Sequence, residues 1–129
     1  MSSSSAATAR ILLVEDDDAI RLVAGMVLRT MGGHEVLAVG SGEEALREAA
    51  GFAPQLLVLD VSMPGMDGPQ TLQALRGQAP LREVPAVFLT ARTQPQDVEY
   101  LRGLGAVDVI AKPFEPADLV ARIAALGVL

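Results

Sequence analysis

The sequence contains no cysteine, no tryptophan, a single histidine and four aromatic residues in all, three Phe and one Tyr. Without cysteine there are no disulfides and no thiolate metal ligands, which fits a reducing compartment. The one histidine, His34, has no partner at metal-ligand spacing and is expected to be a solvated turn residue. Few aromatics leave Val, Leu, Ile, Ala and Met to fill the interior, a mix suited to helices layered on a sheet. Every apolar run falls short of the roughly 18 to 20 residues that a membrane span requires, so no membrane contact is expected. The opening MSSSSAATAR lacks an apolar signal core. Residues 1–9 are therefore expected to be a disordered Ser/Ala-rich tail and the protein cytoplasmic. Acids outnumber bases, with a net charge of −6, the wrong sign for direct contact with a nucleic-acid backbone.

What is present is a strict alternation. The 129 residues suffice for one domain with one substantial core. Strands are predicted at Arg10–Val14, Glu35–Val39, Leu56–Leu59, Val84–Leu89 and Val107–Ala111. Helices are predicted at Asp17–Thr30, Gly42–Ala50, Pro69–Arg76, Pro95–Leu104 and Pro116–Leu126. Gly32-Gly33 closes the first helix, while Gly51 and Pro54 are stop signals for the second. Asp17 or Asp18 is expected to cap the first helix, and Pro69 suits a first helical turn. Five β-α pairs imply an α/β fold, a doubly wound five-stranded parallel sheet with helices on both faces. No linker or repeat divides residues 10–129.

Four of the five strands share a feature at their carboxyl ends, where open α/β sheets place their chemistry. Glu15 and Asp16 follow ILLV, Asp60 ends LLVLD, Thr90 ends VFLT, and Lys112 follows VDVIA. Three carboxylates in one cleft repel one another, and a hard divalent cation with oxygen ligands relieves the repulsion. Mg²⁺ fits best, since it takes one or two carboxylates, keeps several waters and completes its shell with phosphate. A carboxylate beside Mg²⁺ can attack a phosphoryl group to give an aspartyl phosphate. Lys112 and Thr90 can then supply donors to the new oxygens.

The segments ILLVEDD, LLVLDVSMPGMDG, VFLTA and AKPF resemble the receiver domain of bacterial two-component response regulators, from Arg10 to Leu126. Asp60 and Thr90 are 30 residues apart, and Thr90 and Lys112 are 22 apart, both as in that family. The resemblance implies a flavodoxin-like strand order 2-1-3-4-5 and phosphorylation of Asp60 by a sensor histidine kinase or a His-phosphotransfer protein. It implies that Asp16, Asp60 and the Ser62 backbone carbonyl ligate Mg²⁺, with Glu15 acting through a water. Lys112 would contact the phosphoryl group, and Thr90 would swing toward it. The bond before Pro113 would be cis. The output partner would bind the face made by the fourth helix, fifth strand and fifth helix. Ser62, Ala91, Arg92 and Val109 would tune phosphoryl lifetime and readout. Val109 departs from the family, which usually has an aromatic three residues before the lysine. The chain's end at Leu129 leaves two expectations, a stand-alone receiver or a fragment of a longer regulator.

Three other readings compete. Gly40-Ser41-Gly42-Glu43-Glu44-Ala45 matches the dinucleotide fingerprint G-x-G-x-x-A, with Asp60 twenty residues on. It follows a strand expected at the sheet edge, and Glu43 and Glu44 would stand where pyrophosphate docks. A phosphatase of the Asp-x-Asp type needs an acid two residues after its nucleophile, where this chain has Ser62. A scaffold that is never phosphorylated needs neither the acids nor Thr90 and Lys112. Met63 and Met66 are expected to pack the loop after Asp60. A phosphoacceptor switch, not a turnover enzyme, accounts for all of these residues together.

Overall fold

The computed structural model describes residues 8–127. Its strands are β1 (Arg10–Val14), β2 (Glu35–Val39), β3 (Leu56–Asp60), β4 (Ala86–Thr90) and β5 (Asp108–Ala111). The helices are α1 (Asp18–Thr30), α2 (Gly42–Phe52), α3 (Gly68–Arg76), α4 (Pro95–Gly103) and α5 (Pro116–Ala125), with a short 3-10 turn at Ala79–Leu81. The sheet is parallel in the order β2-β1-β3-β4-β5, as expected. From β1 the chain steps one way across the sheet and from β3 onward the other. The switch point therefore lies between β1 and β3.

Alternating side chains build two cores. Ile11, Leu13, Val58, Val87, Leu89 and Ile110 face α1 and α5, where they meet Ala24, Leu28, Leu119 and Ile123. Leu12, Val14, Leu57, Leu59, Phe88 and Val109 face α2, α3 and α4 and meet Ala45, Ala49, Leu72, Leu75 and Leu101. Both faces are covered, which is why β3 and β4 are buried along their whole length and read as unbroken apolar runs. Among the described residues no helix is long and apolar enough to cross a membrane.

Local chemistry sets most element ends. Asp17 caps α1, accepting the Ile20 N–H at 2.9 Å. Ser41 caps α2, and Asp67 forms a reciprocal capping box with Gln70 on α3. Gly51 does not stop α2, which runs on to Phe52. The stop comes from Pro54, which disfavours a right-handed helical conformation at the preceding residue. Ala53 instead turns left-handed at φ 56°, and the Arg10 Nε–H holds its carbonyl at 2.9 Å. Pro85 lacks an N–H, so β4 begins at Ala86 and not at Val84.

His34 is not a solvated turn residue: it is buried, and its Nδ1 accepts the Ala9 N–H at 3.1 Å. The Gly32-Gly33 turn folds it back over α1, with its own N–H on the Leu28 carbonyl. Burial pushes its pKa below the usual imidazole value. Residues 1–7 of the expected tail lie outside the described residues, whereas Ala9 is buried.

Asp108 ties α4, β5 and α5 together. It accepts two hydrogen bonds from Arg122 at 2.8 and 3.0 Å, one from Arg102 at 3.2 Å and the Val109 N–H at 2.8 Å. Burial pushes its pKa up, but these donors and charges outweigh it and hold the carboxyl below its ordinary value. Its stabilising contribution is therefore present above the unfolded pKa near 4 and is lost as pH falls through the lower folded pKa. Because both arginines are partly open to solvent, Asp108→Asn is expected to cost only about 1–2 kcal/mol at pH 7. Urea denaturation should show that gap closing below about pH 4. A gap that stays constant down to pH 3 would mean that the ion pairs contribute nothing.

Candidate functional site

The carboxyl rim gathers four of the singled-out side chains. Glu15 follows β1 and is fully buried, and Asp60 ends β3 at 1% exposure. Their carboxylates and that of the more open Asp16 each offer an oxygen within 4.8 Å of the others. Lys112 reaches in from the end of β5. Its Nζ donates to Asp60 Oδ1 at 2.8 Å and to Glu15 Oε1 at 3.2 Å. The other Glu15 oxygen accepts the Asp17 N–H at 3.1 Å. The Lys112–Pro113 peptide is cis.

Sheet register explains the convergence. Parallel pairing sets Val14 beside Leu59, Asp60 beside Leu89, and Thr90 beside Ala111. Lys112 therefore ends at the level of Asp60 and Glu15, which lie 52 and 97 positions earlier in the sequence. Behind Asp60 the loop closes through the Gly68 N–H on the Val61 carbonyl at 2.9 Å. A Cβ at Gly68 would collide with the Asp60 carbonyl, so only glycine lets α3 start this close.

One ammonium faces two buried acids, with Asp16 at their edge. Burial, reinforced by the charge of Asp60, pushes the Glu15 carboxyl up to about 7, although the Asp17 N–H and Lys112 pull against it. Burial also raises Asp60, again against Lys112. For Lys112, burial acts downward but the bonds and charges of Asp60 and Glu15 outweigh it, and its pKa is raised. Negative charge is thus under-compensated. That excess, with three convergent oxygen donors and no sulfur or nitrogen, suits a hard divalent cation.

The remaining candidates sit around this cluster. Thr90 is buried at the end of β4, but its Oγ1 accepts the Arg92 N–H at 3.0 Å within its own loop. Ser62, Ala91 and Arg92 are exposed on the loops beyond Asp60 and Thr90. Val109 lies in the core beside Phe88, facing α4. Met63 is buried in that same core, and Met66 stands against Gly42. An apolar hollow lined by Ile20, Val23, Ala91, Pro113 and Phe114 opens beside Lys112. Gly68 and Arg21 also shape the site, although neither carries a motif of its own. Arg21 donates to the Glu15 carbonyl at 2.9 Å, and its only local sign is its place three residues after Asp18 in a helix.

Comparison with known proteins agrees with this geometry. The family model "Response regulator receiver domain" matches residues 11–124. The DNA-binding response regulator MtrA of Mycolicibacterium smegmatis is 39% identical over 116 residues, covering 90% of this chain and 49% of that protein. The chain thus spans about half the length of the curated relatives it matches first. Among solved structures, the chemotaxis response regulator CheY4 of Vibrio cholerae superposes with a TM-score of 0.85 at 31% identity, covering 95% of this chain and all of that one. The receiver domain of the sensor histidine kinase PA1611 from Pseudomonas aeruginosa, solved with a magnesium ion in its active-site cleft, gives a TM-score of 0.81 at 34% identity. It covers 95% of this chain and 98% of that one.

Proposed function

The chain belongs to the response regulator receiver family, and from that premise we propose that Asp60 accepts a phosphoryl group from a histidine kinase or His-phosphotransfer protein. The observation that carries the reading is the Asp60 carboxylate, buried at the rim between Lys112 and the acids Glu15 and Asp16. Asp16, Asp60 and the Ser62 carbonyl would hold Mg²⁺, with Glu15 acting through a water. When bound, the cation offsets the carboxylate charge and that of the incoming phosphoryl oxygens. A carboxylate oxygen of Asp60 attacks phosphorus as the P–N bond to the donor histidine breaks, and the imidazole leaves with the bonding pair and takes up a proton. Lys112, already poised between Glu15 and Asp60, is within reach of the new oxygens. Thr90 joins it by giving up the Arg92 N–H.

The apolar hollow beside Lys112 gives a donor protein a surface within reach of Asp60. MtrA is named for DNA binding, but the match covers half of it, and a net charge of −6 points this receiver toward protein contacts. The output face is α4, β5 and α5; exposed Tyr100 of α4 and Leu104 just after it line a hollow against α3 at the margin of that face. On this reading the chain acts as a regulatory switch in the cytoplasm, not as a turnover enzyme. Ser62, Ala91 and Arg92 border the phosphoryl group and tune its lifetime. Intact mass after incubation with acetyl phosphate tests the reading: one added phosphoryl group with Mg²⁺, and none with EDTA.

Val109 is the point where the readout departs from the family. Val109→Tyr crowds the core beside Phe88 and Leu101 and is expected to cost about 1–3 kcal/mol in denaturant titration. It also hands α4 a ring that can move with Thr90. Acetyl phosphate should then produce larger amide shifts along α4 and β5 than in the wild type. Identical shifts would remove Val109 from the account of transmission.

A further inference from the structure

Resting on the metal reading above, we propose that Arg21 is a positioning residue for the cation site, seated on the bare Cα of Gly40. Its guanidinium reaches back from the start of α1 over the β1–α1 junction. Nη1 donates to the carbonyl of Glu15 at 2.9 Å and, more weakly, to that of Asp16 at 3.5 Å, while Nη2 donates to Asp18 Oδ1 at 2.6 Å. The first two acceptors belong to the backbone of the two acids whose carboxylates converge with Asp60. Nη1 therefore holds the Glu15 peptide directly and the Asp16 peptide at the edge of hydrogen-bond range, while Nη2 anchors the planar guanidinium on Asp18. An ammonium, with its compact charge on a flexible stem, does not reproduce that geometry.

Gly40 supplies the seat. It is not among the glycines with positive φ, so its backbone does not require glycine. What it supplies is room, since a Cβ there would lie 3.2 Å from Arg21 Nη1 and 3.7 Å from Cζ. Gly42, two residues on, is the stricter case, since a Cβ there would collide with Thr71 Oγ1 and with Met66 of the loop after Asp60, whereas at Gly40 it would press on Arg21. The G-x-G stretch thus receives a side chain from each side of the acidic rim, and its resemblance to a dinucleotide fingerprint reflects close packing. Glu44 closes the junction by accepting the Gly40 N–H at 3.1 Å.

Charge and geometry make opposite predictions for this residue. If Arg21 acted only as a nearby positive charge, removing it would tighten Mg²⁺ binding. If it acts by orienting Glu15 and Asp16, removing it weakens binding, and restoring the charge as lysine recovers little. Calorimetric titration of MgCl₂ into the full chain separates the two, using wild type, Arg21→Gln, Arg21→Lys and Gly40→Ala. Thermal midpoints are measured alongside in EDTA. Loss of a supporting group behind metal ligands typically weakens affinity by about 10- to 100-fold, and Arg21→Gln is expected near the lower end because it acts through carbonyls. Gly40→Ala should shift in the same direction with its charge unchanged, and it carries the test if Arg21→Gln does not fold. Unchanged or tighter binding in Arg21→Gln overturns the proposal. So does a loss of affinity that merely tracks the EDTA midpoints across the variants. A wild type that takes up no Mg²⁺ defeats the metal reading itself, before any variant is compared.

Discussion

Asp60→Asn is expected to abolish the phosphoryl adduct completely while leaving the chain folded. The substitution keeps the shape of the side chain but removes the anionic oxygen that attacks phosphorus. It also removes one of the two charges that Lys112 bridges, yet Lys112 keeps Glu15 at 3.2 Å, so no buried ammonium is left unpaired. The repulsion that Asp60 exerts on Glu15 disappears as well, and part of the upward pressure on the Glu15 carboxyl with it. The variant should therefore unfold no earlier than the wild type at pH 7.5 in EDTA, and bind Mg²⁺ more weakly. Intact mass and a thermal melt on the same sample report both results. An adduct of undiminished yield would move the acceptor to another carboxylate and sink the assignment of Asp60.

The second large effect is an inverted dependence of stability on pH. Glu15 is fully buried, and its carboxyl is raised from 4.5 to about 7 in the folded chain. Between those values the folded state holds a proton that the unfolded state has released. Stability is thus greatest below about pH 4.5 as far as this group is concerned, and is lost progressively as pH rises to about 7. At 1.36 kcal/mol per unit the loss reaches about 3 kcal/mol at most. Asp60, also raised, acts with the same sign. His34 opposes both, because its lowered pKa makes stability rise as pH climbs through its ordinary value.

The comparison that isolates Glu15 is therefore with Glu15→Gln, where His34 is unchanged. Urea denaturation in EDTA should show the wild type losing about 2–3 kcal/mol relative to the variant between pH 5 and pH 7.5. Mg²⁺ should restore most of that loss at pH 7.5, since a ligand bound only by the folded state stabilises it. Parallel curves for the two proteins would mean that Glu15 stays ionised without penalty, and that Lys112 alone compensates the rim.

Much of the fold is written in local pattern. The runs ILLV, LLVL and AVFL carry no polar residue, so they are stable only where both faces are covered, and that dictates a parallel sheet between helices. Asp17, Ser41 and Asp67 mark helix starts because each caps through its own neighbours three residues on. Of the two stop signals after α2, Pro54 acts and Gly51 does not, so the helix runs on to Phe52. His34 differs from its expectation because its burial depends on Ala9, 25 residues away, and no local signal reports such a contact.

The alternation of strands and helices, and the residue types at the carboxyl ends of β1, β3, β4 and β5, follow from patterns a few residues long and are legible in the order of residues alone. That Lys112 is shared between Asp60 and Glu15, that Thr90 turns to its own loop, and that Arg21 closes over Gly40 emerges only in the folded chain. Those facts depend on sheet register and on how close two backbones come. Both arise between segments far apart in the chain, where the order of residues sets no distance.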